Sequence, residues 1–417
     1  MKKLVSTLLI VGFVLGAFQI SSSVEAEQIE GNITSSPTPV FLDVKDNHWA
    51  KTSITNAVDK GYFKGYSDGT FKPNASVTRA EFAVLLARFS GKAEATDEIS
   101  RFADLTNHWS EAEVNQAISL GFIDPIDYPN GFKPNTAVTR FEIAKWMTSG
   151  LSATDAEYKQ ALEDTKTTVI PVKEYFVPGI PETKSSYIAV ALGTKLMNGY
   201  PDGSFGLDKP LSRAEAAIIL LNLQTVWNQP ADSFLGLKEL REVGTERTNV
   251  ETISPFTTRN TSFNDVVEKT YTFKNYAGSL KLHNYIVVDT EDFKSIDSIY
   301  ASLFVDEKND YNSRLDKPGS YIAFIQITIY PKTDGFNVDH YMSGARSGIV
   351  GGSRLLNNLP DKFGYMTMPW LETKEFFKNY KNGSGVTLWV MSYLTSNTVG
   401  AQLTTDDNSF VAIDNKE

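Results

Sequence analysis

The sequence predicts a multidomain protein with a mainly helical first part and a β-rich second part. One pattern of helix, loop and helix recurs three times between residues 40 and 224, and residues 265–417 carry short runs typical of strands. The length of 417 residues is also more than one hydrophobic core usually covers. We therefore expect helical repeats followed by an all-β or β-rich, sandwich-like domain.

Residues 1–26 have the pattern of a secretory signal peptide. Lys2 and Lys3 form a basic start, residues 4–20 are almost wholly apolar, and a short stretch of mostly small residues ends at Ala26. The alternative is a membrane-anchor helix, but the apolar run lies at the short limit for a bilayer span. We expect cleavage after Ala26, a linker over 27–39, and no membrane span in the rest of the chain.

The charge and the lack of cysteine narrow the function classes. The formal net charge is −10, and loss of residues 1–26 would leave −11. This net negative charge argues against general nucleic-acid binding. Binding of an anionic polymer must therefore rely on a few specifically positioned side chains. The chain contains no cysteine, which excludes disulfides, thiol nucleophiles and cysteine metal sites. We expect no metal and no other cofactor.

The second helix of each repeat begins at a four-residue motif. A Thr or Ser is followed by Arg and, three residues on, by Glu, just before an apolar periodic run. This spacing predicts a capping box, in which the hydroxyl and the glutamate satisfy free N–H groups at the helix start. We therefore expect these glutamates to be structural. The motifs begin at Thr78, Thr139 and Ser212.

Another amphipathic helix is expected ahead of each motif. In the first repeat it is marked by apolar residues such as Ile54, Ala57 and Val58. Tight turns are expected at the Asp-Gly steps between the helices. A single helix pair cannot bury its own apolar face, so the three pairs should pack together. The expected repeats are 40–90, 101–152 and 172–224.

These motifs resemble the S-layer homology family. The resemblance rests on the Thr-Arg-Ala-Glu type motif, the Gly-Tyr-x-Asp-Gly-x-Phe loop, the Asp…His-Trp opening and their recurrence over residues 40–224. It implies a three-pronged pseudo-trimer whose grooves hold secondary cell-wall polymer, often ending in a pyruvylated amino sugar. It also implies a secreted protein held at the wall of a bacterium, expected to be Gram-positive.

The chemistry of such a polymer selects the candidate residues. A pyruvate ketal is a carboxylate, which a guanidinium near a helix N-terminus can hold in a fork. An indole offers a flat apolar face to a sugar ring, aspartate accepts from hydroxyls, and glycine allows close backbone approach. The candidate polysaccharide-binding residues are Asp43, Trp49, Gly65, Arg79, Asp104, Trp109, Arg140, Gly199 and Arg213.

Each candidate also has a structural alternative. The arginines can pair with a carboxylate of the next repeat, the tryptophans can belong to the core, and the aspartates can be caps or turn residues. The repeats are also unequal. In the third repeat Val177 and Thr183 stand at the places of the acid and the tryptophan, and in the second Pro125 and Ile126 replace the Gly-Tyr pair. We therefore expect one complete site, strongest in the first repeat.

The pattern changes after the repeats. Residues 225–264 are expected to be a linker with a possible helix over 233–243, because 245–264 is rich in Thr, Ser and Asn. Beyond residue 265, runs of Val, Ile, Tyr, Phe and Thr between turn residues predict strands, and one helix is expected over 371–380. The expected strands are 270–273, 280–288, 298–305, 321–330, 386–394 and 410–413.

Three functions stay open for residues 265–417. The favoured one is a display domain that binds an unknown partner, on a protein anchored without being an enzyme. The alternatives are a polysaccharide or wall hydrolase, which needs facing carboxylates in a pocket, and an S-layer lattice component. The histidines here, His283 and His340, lack the spacing of a metal pair, and no nucleophile-elbow motif is present.

Overall fold

The computed structural model describes residues 41–91, 101–290, 297–305, 320–355, 357–369, 371–380, 383–395 and 400–416. The predicted signal peptide 1–26 and the linker 27–39 lie outside these residues. The described chain from residue 41 onward forms one compact unit. In this part of the chain, no helix is long and apolar enough to cross a membrane.

The three repeats each contain the expected helix pair. The pairs are α1 (Lys51–Asp59) with α2 (Arg79–Ser90), α3 (Glu111–Ser119) with α4 (Arg140–Thr154), and α7 (Glu182–Gly193) with α8 (Arg213–Val226). All three predicted capping boxes are confirmed: the side chain and backbone bonds are both present at the starts of α2, α4 and α8. Local sequence therefore sets where these helices begin.

Backbone hydrogen bonds join the repeats in a cycle. Val77 N–H donates to Leu211, Leu211 N–H donates to Val138, and Val138 N–H donates to Val77, at 2.9, 3.0 and 2.9 Å. These three residues stand just before the capping boxes and are buried. The cycle closes the three repeats into a pseudo-threefold unit, in which each second helix starts beside the loop of the next repeat.

The segment between the second and third repeats is partly helical. It forms α5 (Ala156–Asp164), and α6 (Lys173–Phe176) precedes α7. Residues 225–264 were expected to be a linker with a possible helix over 233–243; a helix forms there, and the segment packs into the core. It holds α9 (Leu235–Glu246) and α10 (Val250–Ile253), and Leu237, Leu240 and Val243 are fully buried against the repeats.

The C-terminal region combines antiparallel sheets with short helices, so the all-β expectation is only partly met. Its strands are β1 (Phe256–Thr257), β2 (Thr270–Thr272), β3 (Gly278–Asp289), β4 (Ser320–Pro331), β5 (Val386–Thr395), β6 (Ala401–Thr404) and β7 (Phe410–Asn415). They pair antiparallel in the orders β2-β3-β4-β5 and β1-β7-β6. The helices are α11 (Ala301–Phe304), α12 (Val338–Gly344), α13 (Leu359–Phe363) and α14 (Thr373–Lys378).

One expected strand is wrong. Residues 298–305 form a turn and the short helix α11 rather than a strand. Tyr300, Leu303 and Phe304 are buried, which is the i, i+3, i+4 pattern of a helix face. A short apolar run does not separate the two periodicities, so the sequence alone could not decide. The expected helix over 371–380 is confirmed as α14.

The four-stranded sheet packs on the repeats through one half of one face. Alternate residues of β4 lie on opposite faces, and Ile322 and Phe324 belong to the same apolar cluster as the repeat helices. Their neighbours Ile286 on β3 and Trp389 on β5 join that cluster, whereas Ile325 and Ile327 belong to a second core on the opposite face. The helical and β parts therefore share one apolar core.

Candidate functional site

The arginine of each motif reaches into the loop of the following repeat. In the first groove, Arg79 donates from Nε and Nη2 to Glu142 Oε1 at 2.8 and 2.7 Å, and from Nη1 to the Phe132 carbonyl at 2.9 Å. Tyr128 donates to the same Glu142 oxygen at 3.3 Å, and its ring centroid lies 5.0 Å from the guanidinium. A closed arginine–glutamate–tyrosine triad results.

The second groove repeats this triad with deeper burial. Arg140 donates to the Phe205 and Asn198 carbonyls at 2.8 and 2.6 Å and contacts Glu215 Oε1 at 3.3 Å. Tyr200 donates to that glutamate oxygen at 2.8 Å. The side chain of Arg140 is only 5% exposed, so its protein partners replace water almost completely.

Ionisation of the second triad follows from its contacts. Burial opposes ionisation of Glu215, but hydrogen bonds from Ser212 and Tyr200 outweigh it and hold the glutamate pKa below its usual value. Burial, and next the hydrogen bond to Glu215, raise the pKa of Tyr200 to about 12. At neutral pH the glutamate is therefore charged, the tyrosine is a neutral donor, and the charge of Arg140 is balanced internally.

The third groove lacks this internal balance. Arg213 donates from Nε to the Phe71 carbonyl at 2.8 Å and from Nη2 to the Lys64 carbonyl at 3.0 Å. Arg140 makes the equivalent two backbone bonds, whereas Arg79 uses Nε and Nη2 for Glu142 and bonds to one carbonyl. Within the described residues, no carboxylate lies within 4.0 Å of this guanidinium. Glu81, the counterpart of the other two glutamates, bonds only to its own helix cap.

The tyrosine of the third groove, Tyr66, is partly exposed. The ring centroid of Tyr66 lies 4.9 Å from the Arg213 guanidinium and 4.0 Å from Lys72 Nζ, and the residue is 39% exposed. Burial lowers the pKa of Arg213, yet a guanidinium remains charged at neutral pH. Among the described residues, this groove therefore presents a charged arginine and an exposed aromatic ring without a direct ion pair, although Glu81 and Asp43 lie near enough to favour the charged guanidinium.

The candidate aspartates hold the loops. Asp43 accepts from the backbone N–H groups of Phe71 and Lys72 at 2.8 and 2.7 Å. Asp104 accepts in the same way from residues 132 and 133. In the third repeat Glu174, not the residue at Val177, accepts from residues 205 and 206 at 2.9 and 2.7 Å. The expectation that the third repeat lacks this acid is therefore wrong, because a shift of three residues and a longer side chain supply it.

The candidate tryptophans lie on the surface. Trp49 and Trp109 are 66% and 61% exposed, each beside a histidine ring at 5.8 and 5.5 Å. These two tryptophans therefore do not belong to the hydrophobic core. In the third repeat, α7 begins with no tryptophan at this place.

The candidate glycines make close contacts inside the protein. A Cβ added at Gly65 would lie 2.3 Å from a Phe41 ring carbon, and one at Gly199 would lie 3.2 Å from the Ser204 carbonyl oxygen. At Gly65 the close approach therefore serves packing of the loop against Phe41. A role of these glycines in ligand binding stays a prediction.

Tyr128 is a groove residue that comparison of the repeats by sequence missed. A short 3-10 helix over Pro125–Asp127 changes the loop of the second repeat, and the tyrosine follows it. Its spacing to the shared loop position Phe132 is four residues, against five from Tyr66 to Phe71. An alignment of the repeats with a gap that matches Phe132 to Phe71 would have paired Tyr128 with Tyr66. Tyr128 also lines a cavity of about 330 Å³ beside Arg79, Lys133 and Lys145.

Comparison with known proteins agrees with the repeat geometry. The S-layer homology domain family matches residues 40–83, 101–144 and 177–217. The chain carries three S-layer homology domains. These three matches coincide with the three helix pairs and their capping boxes, and the last of them ends at residue 217.

Similar proteins share this part of the chain. A cellulosome-anchoring protein of Acetivibrio thermocellus is 37% identical over 107 residues, which is 24% of this chain and 24% of the relative. An S-layer protein of Bacillus anthracis is 26% identical over 254 residues, 60% of this chain and 28% of the relative. An endoglucanase of a Bacillus species is 28% identical over 236 residues, 56% of this chain and 23% of the relative. The matched part is thus under a third of each relative, and together they indicate a cell-surface protein.

Proposed function

We propose that this protein attaches non-covalently to the bacterial cell wall by binding an anionic wall glycopolymer in the groove between its third and first repeats. The observation that carries the proposal is that no carboxylate of the described residues lies within ion-pair distance of the Arg213 guanidinium. The equivalent arginines, Arg79 and Arg140, already face a glutamate, so an external carboxylate has most to gain at the third groove.

The proposed ligand is a secondary cell-wall polymer that ends in a pyruvylated amino sugar. The carboxylate of the pyruvate ketal would take the place that Glu142 and Glu215 occupy beside the other arginines. Tyr66 offers a ring face and a hydroxyl beside it. Lys72 lies over the same ring and pairs with Asp68 at 3.7 Å. The exposed indoles of Trp49 and Trp109 supply further surfaces for sugar rings.

We propose the domain boundaries expected from the sequence, with two changes: α9 joins the wall-binding unit, and the C-terminal region begins after α9. The wall-binding unit comprises the repeats at 40–90, 101–152 and 172–224 together with α9, because α9 completes their core. The C-terminal region is displayed on this unit for binding and begins after it. The part between Ser254 and Asn264 connects them through β1.

A pull-down on purified wall sacculi tests the attachment. The full chain should bind intact sacculi and lose binding when the secondary polymer is removed chemically. Arg213→Ala should weaken binding at least about tenfold. Arg259→Ala is the matched control, because this arginine is 64% exposed and pairs with Asp414 in the C-terminal region. Equal retention by intact and stripped sacculi would refute the proposal.

A further inference from the structure

Among the described residues, the face of the four-stranded sheet that packs on the repeats is covered by helices only at one end. At its other end the same face carries Thr328 and Tyr330 on β4, Ser279 and Lys281 on β3 and Thr387 on β5, which the strand register places side by side. Asn284 and Gln326, which bond to each other at 2.6 Å, separate this polar end from the apolar end. At this end Ser279, Tyr330 and Thr387 are at least partly exposed, and no helix of the described chain covers them. Thr328 is buried between them and bonds to His283 and Thr387.

A tyrosine stands above this polar end in an unfavourable backbone conformation. Tyr276, in the turn between β2 and β3, has φ of +59° and is 76% exposed. A bulky residue at positive φ is uncommon and costs free energy that glycine or asparagine would avoid. The turn is fixed nonetheless: Tyr276 N–H donates to Phe273, and Asn275 bonds to Ala277 N–H and to the His340 carbonyl. Neither local structure nor core packing explains an aromatic side chain here.

Tyr276 lines a cavity of about 450 Å³ together with Thr272, Ser279, Tyr330 and Lys332. Gly385 allows the Tyr330 ring to lie flat against the backbone, since an added Cβ would come within 2.7 Å of it. Lys332 is the charged residue among the described lining residues, and no carboxylate of the described chain lies within 4.0 Å of its ammonium group. Asp406, near the rim, already accepts from Thr272 N–H and hydroxyl.

We propose that this polar end of the sheet binds a saccharide chain that carries carboxylate groups. Tyr276 and Tyr330 present ring faces to sugar C–H groups, Ser279 and the tyrosine hydroxyls bond to sugar hydroxyls, and Lys332 pairs with a carboxylate. The charge of Lys332 in an acidic chain favours an anionic over a neutral saccharide. This site extends the proposed display function of the C-terminal region and does not depend on the Arg213 groove.

Titration calorimetry of the full chain with tetragalacturonate, and with cellotetraose as a neutral probe, tests the site. Tetragalacturonate should bind saturably and more tightly than cellotetraose. Tyr276→Gly should weaken its binding by about tenfold or more, while leaving the melting temperature unchanged or higher because glycine suits the positive φ. Lys332→Ala should weaken tetragalacturonate binding and leave the response to cellotetraose unchanged.

Two control variants separate this site from the rest of the protein. Tyr393→Ala removes a tyrosine that is 45% exposed on β5 and does not line the cavity, so it should leave affinity unchanged. Arg213→Ala should also leave tetragalacturonate binding intact while weakening attachment to sacculi. Absence of saturable binding at millimolar probe, unchanged affinity in Tyr276→Gly, or loss of probe binding in Arg213→Ala would each overturn the proposal.

Discussion

The guanidinium of Arg213 lies 4.9 Å from the centre of the Tyr66 ring, and this contact closes the cycle from the third repeat back to the first. The same contact occurs in the second groove between Arg140 and Tyr200, at 4.5 Å, but there a glutamate joins the pair. All three arginines thus bond to the carbonyl of the shared loop phenylalanine but have different charge partners. Their substitution should therefore have different consequences.

Arg140→Ala should mainly destabilise the protein. Its removal leaves the partly buried Glu215 without its ion-pair partner and the carbonyls of buried Phe205 and of Asn198 without this donor. Breaking such a pair costs about 3–5 kcal/mol. Urea denaturation should show this loss. Arg259 is largely exposed and pairs with Asp414, so Arg259→Ala should cost less than about 1 kcal/mol. Equal effects of the two substitutions would show that the second triad is not a structural element.

Trp49→Ala should have little effect on stability, because the side chain is 66% exposed. Surface substitutions usually change the free energy of unfolding by less than about 0.5 kcal/mol. If the indole contacts the wall polymer, binding to sacculi should weaken although the melting temperature is unchanged. Phe71→Ala is the contrasting variant: this ring is fully buried, so it should cost about 3–5 kcal/mol. A stable Trp49→Ala protein with full wall binding would remove Trp49 from the site.

Stability should depend on pH through Glu239, which is fully buried in α9. It accepts from Ser298 Oγ, Ile299 N–H and Asn249 Nδ2, yet burial outweighs these bonds and raises its pKa from 4.5 to about 7. The folded protein therefore binds this proton more tightly than the unfolded chain does. The contribution of this proton to the free energy of unfolding is fully present below about pH 4.5. This stabilisation, about 3 kcal/mol, is lost as the pH rises through about 7.

Urea denaturation at pH 5 and pH 8 measures this dependence. Glu239→Gln, which resembles the protonated acid, should lose less stability than wild type between these two values. The other acid near this carboxyl, Glu242, accepts from the N–H groups of Glu251 and Thr252 and is unchanged in the comparison. Parallel pH profiles for wild type and variant would contradict the assignment.

Gly244→Ala tests whether α9 belongs to the wall-binding unit. A Cβ at this position would lie 1.9 Å from the carbonyl oxygen of Asp164 on α5, so the two helices must separate. Such overpacking costs about 1–3 kcal/mol or more. Gly61→Ala is the matched control, because its φ is +75° but nothing lies within 4 Å, and backbone strain alone costs about 1–2 kcal/mol. If Gly244→Ala unfolded less readily than Gly61→Ala, α9 would be a dispensable linker.

The sequence predicted those features that depend on neighbours along the chain. Capping boxes need residues three apart, so Thr78 and Glu81 were readable directly. The charge balance in the grooves could not be predicted in this way, because Arg79 pairs with a glutamate that lies 63 residues away in another repeat. Glu174 was missed because its loop carries three extra residues. The burial of α9 was missed because its apolar face is covered by elements from both halves of the chain.

The central claim is that a carboxylate on the wall sugar binds Arg213, and titration calorimetry with a glycoside of a pyruvylated amino sugar tests it most directly. The full chain should bind this glycoside and show at least about tenfold weaker binding to the same sugar without the pyruvyl group. Arg213→Ala should abolish the difference between the two sugars. Equal affinity of the wild-type protein for both sugars, or an unchanged preference in Arg213→Ala, would contradict the account.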